Sequence, residues 1–84
     1  MAKIFVDLIT PGNGKTYEFR LDDSMTVKQF KQRISEEIIE LENGNITLNP
    51  ERTMLCNLNT RALIPDAGTL KAAGVKSGQS LLLI

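Results

Sequence analysis

Histidine and tryptophan are absent from this 84-residue chain, and cysteine occurs once. Without histidine there is no Ser/His/Asp or Cys/His catalytic unit and no imidazole-ligated metal. One cysteine, Cys56, excludes an intramolecular disulfide; it is read as a half-buried strand residue, since nothing beside it in sequence would lower its pKa. Charge of one sign is also missing: ten basic and ten acidic residues cancel, and no basic run or series of stacking aromatics stands out. Nucleic acid is therefore not an expected partner. No apolar run approaches the roughly 18 residues of a membrane-spanning helix, and the opening "MAKIFVD" meets charge too early for a secretory signal. These features point to a cytoplasmic protein with no direct membrane insertion. Asn45-Ile46-Thr47 spells a glycosylation sequon that has no meaning without a secretory route.

What is present is the content of a small globular domain: 42% hydrophobic and 24% charged residues. The length accommodates one domain, residues 1–84. Its first part alternates. Ala2, Ile4, Val6 and Leu8 fall on one face of an extended strand, with Lys3, Phe5 and Asp7 on the other. The turn formers Thr10-Pro11-Gly12-Asn13-Gly14 come next, and Lys15 to Leu21 alternates again with Tyr17, Phe19 and Leu21 inward. This predicts a hairpin with one apolar face that needs a cover.

The cover comes after the Asp22-Asp23-Ser24 break. Val27, Phe30, Ile34, Ile38 and Leu41 lie within roughly 80° of arc at helical spacing. Thr26 and Gln29 form a capping box, Met25 and Phe30 a hydrophobic staple, and Asn43-Gly44 a stop signal. The spacing predicts a helix over 26–42. Its charges run against the helix dipole: Lys28, Lys31 and Arg33 sit in the first half, Glu36, Glu37, Glu40 and Glu42 in the second. Two readings stay open, a solvated face and a charge-segregated docking surface.

After a polar stretch at 44–52, Thr53 to Cys56 and Arg61 to Ile64 read as a second hairpin around Asn57-Leu58-Asn59-Thr60. A single helical turn is expected near 70–73, then a last strand from Leu81 to Ile84. Gly14-Lys15-Thr16 echoes the end of a phosphate-binding loop, but Ile9 stands where the first glycine is needed, so no nucleotide site is assigned. Asp22, Asp23 and Asp66 read as turn acids, and no paired-acid or metal-ligand spacing emerges. No enzyme, cofactor or metal is expected.

The segments "KIFVDLIT", "GKTYEFRL", "TVKQFKQRI" and "IPDAGTLKAAGVKSGQSLLLI", with the rhythm Leu70, Gly74-Val75, Leu81, Leu83, resemble the ubiquitin-like β-grasp family over nearly the whole chain. Agreement is poorest at 43–52, where this chain is longer than the family's common core. The resemblance implies an α+β fold, a mixed sheet of about five strands packed on one long helix. Ubiquitin-like modifiers and sulfur carriers end in a thin Gly-Gly tail whose carboxylate is adenylated. This sequence closes on "QSLLLI", with branched Leu82 and Ile84, which disfavours a modifier or sulfur carrier. Among non-conjugated relatives it looks most similar to the small YukD/EsaB-type proteins of Gram-positive type VII (WXG-type) secretion systems. That implies a regulatory or adaptor role through non-covalent protein–protein binding, with a secretion-machine component as partner; an orphan interaction module is the further alternative, and the oligomeric state is left open.

Two sets of residues are singled out. Phe5, Leu82 and Ile84 should point away from the helix and, with Leu58, form an apolar partner-binding face on the open sheet. Lys31, at the edge of the helix stripe, is matched with Asp66, whose position resembles the family's partner for such a lysine, as a structural ion pair.

Overall fold

The computed structural model describes residues 3–84, so Ala2, placed by alternation on the buried face, lies outside the described residues. Strand β1 (Lys3–Thr10) and strand β2 (Lys15–Asp22) form the expected hairpin. Their register runs without a skipped residue from Lys3 opposite Asp22 to Thr10 opposite Lys15. The turn closes through N–H groups of Asn13 and Gly14 on the Thr10 carbonyl, with Gly14 at φ 68°, a backbone region that a residue lacking Cβ enters freely.

Helix α1 (Val27–Leu41) begins and ends where the spacing predicts. The capping box is formed in both directions: Thr26 Oγ1 accepts from the Gln29 N–H, and Gln29 Oε1 accepts from the Thr26 N–H. At the other end Asn43 turns left-handed at φ 54°. The N–H groups of Asn43 and Gly44 then bond the carbonyls of Glu40 and Ile39, the two reciprocal bonds of a Schellman motif. Val27, Phe30, Ile34 and Ile38 are buried against the sheet. Leu41, on the same stripe, is exposed. It sits on the helix's last turn, where the angular position of a side chain no longer decides what covers it.

Strands β3 (Leu55–Asn57) and β4 (Ala62–Ile64) make the second hairpin, and β5 (Ser80–Leu83) completes a mixed five-stranded sheet of order β2-β1-β5-β3-β4. β5 starts one residue earlier than its sequence pattern suggests, while Ile84 exchanges two backbone hydrogen bonds with Met54 just beyond its end. Near 70–73 the chain makes one turn, with the Ala73 N–H on the Thr69 carbonyl and the Gly74 N–H on that of Lys71. Bonds from Val27 to Gly68 and from Leu70 to Met25 tie this segment to the start of α1. The 43–54 segment contributes Ile46 and Leu48 to the edge of the core.

The core between helix and sheet holds one fully buried amide. Asn57 donates to Gln79 Oε1 at 3.0 Å and accepts from the N–H groups of Asn59 and Thr60. Gln79 Oε1 in turn accepts from the Lys76 N–H, and Asn59 Oδ1 from the Ser80 N–H. The turn between β3 and β4 and the turn before β5 are thus joined by side-chain amides. Replacing Asn57 by Ala removes all three bonds, and we expect a loss of about 1–3 kcal/mol in urea unfolding, with no change in the far-ultraviolet circular dichroism of the folded state.

Candidate functional site

Strand neighbours alternate faces, and the strand registers turn that alternation into rows across the open side of the sheet. Ile9 stands opposite Thr16 and Leu82, Leu82 opposite Cys56, and Cys56 opposite Leu63. One row therefore crosses all five strands as Thr16, Ile9, Leu82, Cys56 and Leu63. Ile84 and Met54, joined by their reciprocal backbone bonds, form the row beyond it. Of these residues Leu63, Ile84 and Met54 are 59%, 56% and 51% exposed, while Ile9, Leu82 and Cys56 are half-buried between them. The result is an apolar surface spanning β1, β5, β3 and β4, of the kind that marks a protein-binding face when it stays uncovered.

The structure brings Leu82 and Ile84 together on this surface. Leu58 lies one row away, its N–H on the Ser80 carbonyl. Phe5 shares the face but not the patch. The row Glu18, Asp7, Ser80 comes between, and Phe5 lies beside Gly78, whose N–H bonds its carbonyl. Ile9, Met54, Cys56 and Leu63 were not singled out by sequence. Ile9 was within reach, since the alternation of Phe5 and Asp7 continues to it; the other three join through pairings between distant segments.

At its β4 end the patch turns into a cleft of about 390 Å³ lined by Met54, Leu55, Leu63, Ile64 and Pro65. Lys31, Glu51, Arg52 and Asp66 line it as well and make its other wall charged. The Lys31 side chain is 4% exposed and its Nζ donates to Asp66 Oδ1 at 2.9 Å, while Asp66 is 57% exposed. The lysine is buried along its length and meets its counter-ion at the surface. Such pairs hold a loop in place and add little net energy beyond that, but removing the acid strands a desolvated ammonium. Asp66→Ala is expected to lower stability by about 1–3 kcal/mol, and Lys31→Met by less, because an apolar chain of similar volume fills the same channel. Thermal unfolding ranks the two; partner binding should be unchanged in the Lys31 variant.

A second polar cluster pins the far end of α1. Glu42, the helix C-cap, accepts from Lys15 Nζ at 2.6 and 2.8 Å and from Tyr17 Oη at 2.7 Å, and Asn13 Nδ2 donates to the same phenol at 3.1 Å. An acid at a helix C-terminus is repelled by the carbonyl ends. Here hydrogen bonds from Lys15, and next from Tyr17, hold the Glu42 carboxyl below its ordinary value of 4.5 and raise the Lys15 ammonium. Burial, followed by the Glu42 bond, raises the Tyr17 phenol. A depressed carboxylate stabilises the fold above its unfolded pKa, and that contribution is lost as pH falls through the folded value. Glu42→Gln should therefore lower the melting temperature at pH 7, and the gap to the parent should close in acid below about pH 4.5.

Among solved structures the chain is similar to the ubiquitin-like domain of Plasmodium falciparum Dsk2, at 20% identity over 98% of this chain and 96% of that one, TM-score 0.76. It is similar also to a ubiquitin-like domain of an Arabidopsis thaliana protein, at 20% identity over 100% of this chain and 78% of that one, TM-score 0.74. Caldiarchaeum subterraneum ubiquitin matches at 20% identity over 99% of this chain and 92% of that one, TM-score 0.68. No protein-family model matches, and no curated protein matches. The chain has the ubiquitin-like β-grasp fold, α+β, with one helix held in a mixed sheet.

Proposed function

We propose that the chain is a cytoplasmic, non-conjugated ubiquitin-like adaptor that binds a protein partner through the open face of its sheet and serves as an accessory of a bacterial type VII secretion system. The observation that carries the binding face is the row Ile9, Leu82, Cys56, Leu63 with Ile84 and Met54 beside it. An uncovered apolar surface on four strands of a small domain is more than scattered surface leucines amount to. The secretion assignment rests on the resemblance of "TVKQFKQRI" and "LKAAGVKSGQSLLLI" to the YukD/EsaB-type proteins. The chemistry of the described surface is apolar packing, and we assign no reaction to it. Among the described residues no helix is long and apolar enough to cross a membrane.

Affinity capture from the native cell, with intact-mass measurement of bait and prey, tests the reading. The expected outcome is recovery of secretion-machine components with no mass added to either protein. Leu63→Ser and Ile84→Ser, both at exposed positions, should each weaken capture by about thirtyfold, the loss of an interface anchor worth about 2 kcal/mol. Phe5→Ser, two rows from Leu82, should leave it within a few fold. Covalent adducts of the bait would instead mean a modifier, and capture indifferent to Leu63 and Ile84 would exclude the open face as the binding surface.

A further inference from the structure

The two edges of the sheet are built differently. β4 is three residues long, which blunts its edge. β2 is eight residues long, unbulged and without proline, and nothing among the described residues pairs with its outer side. The hydrogen bonds of β1 identify the backbone groups that β2 presents. Asp7 N–H bonds Gln79 and the Phe5 carbonyl accepts from Gly78, so Phe5 and Asp7 face β5, while their neighbours Val6 and Leu8 face β2. The partners of Val6 and Leu8, Phe19 and Tyr17, are thereby spent. Thr16, Glu18 and Arg20 turn their N–H and C=O groups outward, while the Asp22 carbonyl already accepts from the Met25 N–H.

The side chains on this edge are also incomplete. Glu18 stands directly opposite Asp7, a like-charge pair that disfavours the hairpin. Among the described residues neither Glu18 nor Arg20 makes an ion pair or a side-chain hydrogen bond. Beside them a groove of about 670 Å³ separates β2 from α1, with Arg33 and Glu37 on its helix wall, so the edge is open to approach.

We propose that the edge of β2 pairs with β2 of a second copy of this chain, antiparallel about a two-fold axis at Phe19, joining two five-stranded sheets into one. In that register Phe19 meets its own symmetry mate, Tyr17 meets Leu21, and Thr16 meets Asp22. Glu18 meets Arg20 on both sides of the axis, answering the Asp7–Glu18 repulsion with an opposite charge. Moving the axis one residue either way sets Glu18 against Glu18, or Arg20 against Arg20, so the charges favour the Phe19 axis over its immediate neighbours. The outward groups of Glu18 and Arg20 are those that an antiparallel pair needs flanking a central non-bonded Phe19. The same axis lays the two copies of α1 antiparallel on one side of the joined sheet. Arg33, Glu37 and Glu40, the helix residues that line the groove beside β2, then lie toward the mate.

The β2 edge is separate from the open face, whose exposed residues lie on and beside β5, β3 and β4, so each surface can fail without the other. Sedimentation velocity over a concentration series tests the pairing with four proteins: the parent, Glu18→Arg, Arg20→Glu and the double reversal. The parent should dimerise, more weakly as salt is added. Each single reversal, turning two attractive pairs into two repulsive ones, should weaken dimerisation about tenfold or more. The double reversal, and an equal mixture of the two single variants, should return to within about threefold of the parent. The amides of Glu18 and Arg20 should exchange slowly with solvent in concentrated samples and rapidly on dilution. A parent that stays monomeric to about 1 mM, the weak end of specific association, would overturn the proposal; its edge charges would then only keep the strand solvated. Association unaffected by either reversal, or abolished by Leu63→Ser instead, would overturn it equally.

Discussion

β1 and β5 come from opposite ends of the chain and lie side by side at the middle of the sheet, with Asp7, Leu8 and Ile9 paired in parallel to Ser80, Leu81 and Leu82. This pairing is the costliest contact to form, because nearly the whole chain must close as a loop around it. It also decides most of the architecture. It sends Leu8 and Leu81 together into the core, leaves β2 as one outer strand, and places β3 and β4 on the far side of β5. Shifting it by one residue would turn every side chain of β5 over and exchange the core with the surface.

From that constraint two surfaces arise with different chemistry. The open face collects aliphatic side chains and a thiol from four strands, the chemistry by which water is excluded between apolar surfaces. The β2 edge collects outward backbone groups and alternating charge, the chemistry of strand addition. They lie on different parts of the sheet, so occupation of one leaves the other available. Between them and the core, polar contacts anchor the irregular segments. Lys31–Asp66 fixes the loop before residue 70, Glu42 with Lys15 and Tyr17 fixes the end of α1, and Asn57 with Gln79 joins the β3–β4 turn to the turn before β5. Each such contact joins segments far apart in sequence, which is where a chain with a small core needs help most.

How much of this the sequence reveals depends on the distance over which each feature is written. The hairpin and the helix are local. Alternation through Tyr17, Phe19 and Leu21 and the Thr26–Gln29 box state them within a few residues, and the structure places β2 and α1 within one residue of the expected ends, while β1 runs two residues past Leu8 to Thr10. Half of the open-face patch is local as well, because alternation along β5 separates Leu82 and Ile84 from Leu81 and Leu83. The other half is register. Nothing near Cys56 or Leu63 says that they stand beside Leu82, and nothing near Phe5 says that a polar row divides it from the patch. The Glu42 cluster escaped for the same reason, since the acid reads as a misplaced charge until Lys15 and Tyr17 are seen beside it. Leu41 shows the converse: its periodicity is right, but periodicity describes a direction and not a cover.

The core, the open face and the identity of the free edge all derive from the register of β1, β5 and β3. Methyl-labelled nuclear Overhauser spectroscopy at Ile, Leu and Val positions, with the Cys56 β-protons assigned, measures that register directly. Contacts are expected from Ile9 to Leu82 and from Leu82 to Cys56, with a separate set joining Leu8, Leu81 and the helix residues Ile34 and Ile38. Contacts from Ile9 to Leu81 or Leu83 would mean a slip of one residue, and the open face would then not exist in the form derived from this register.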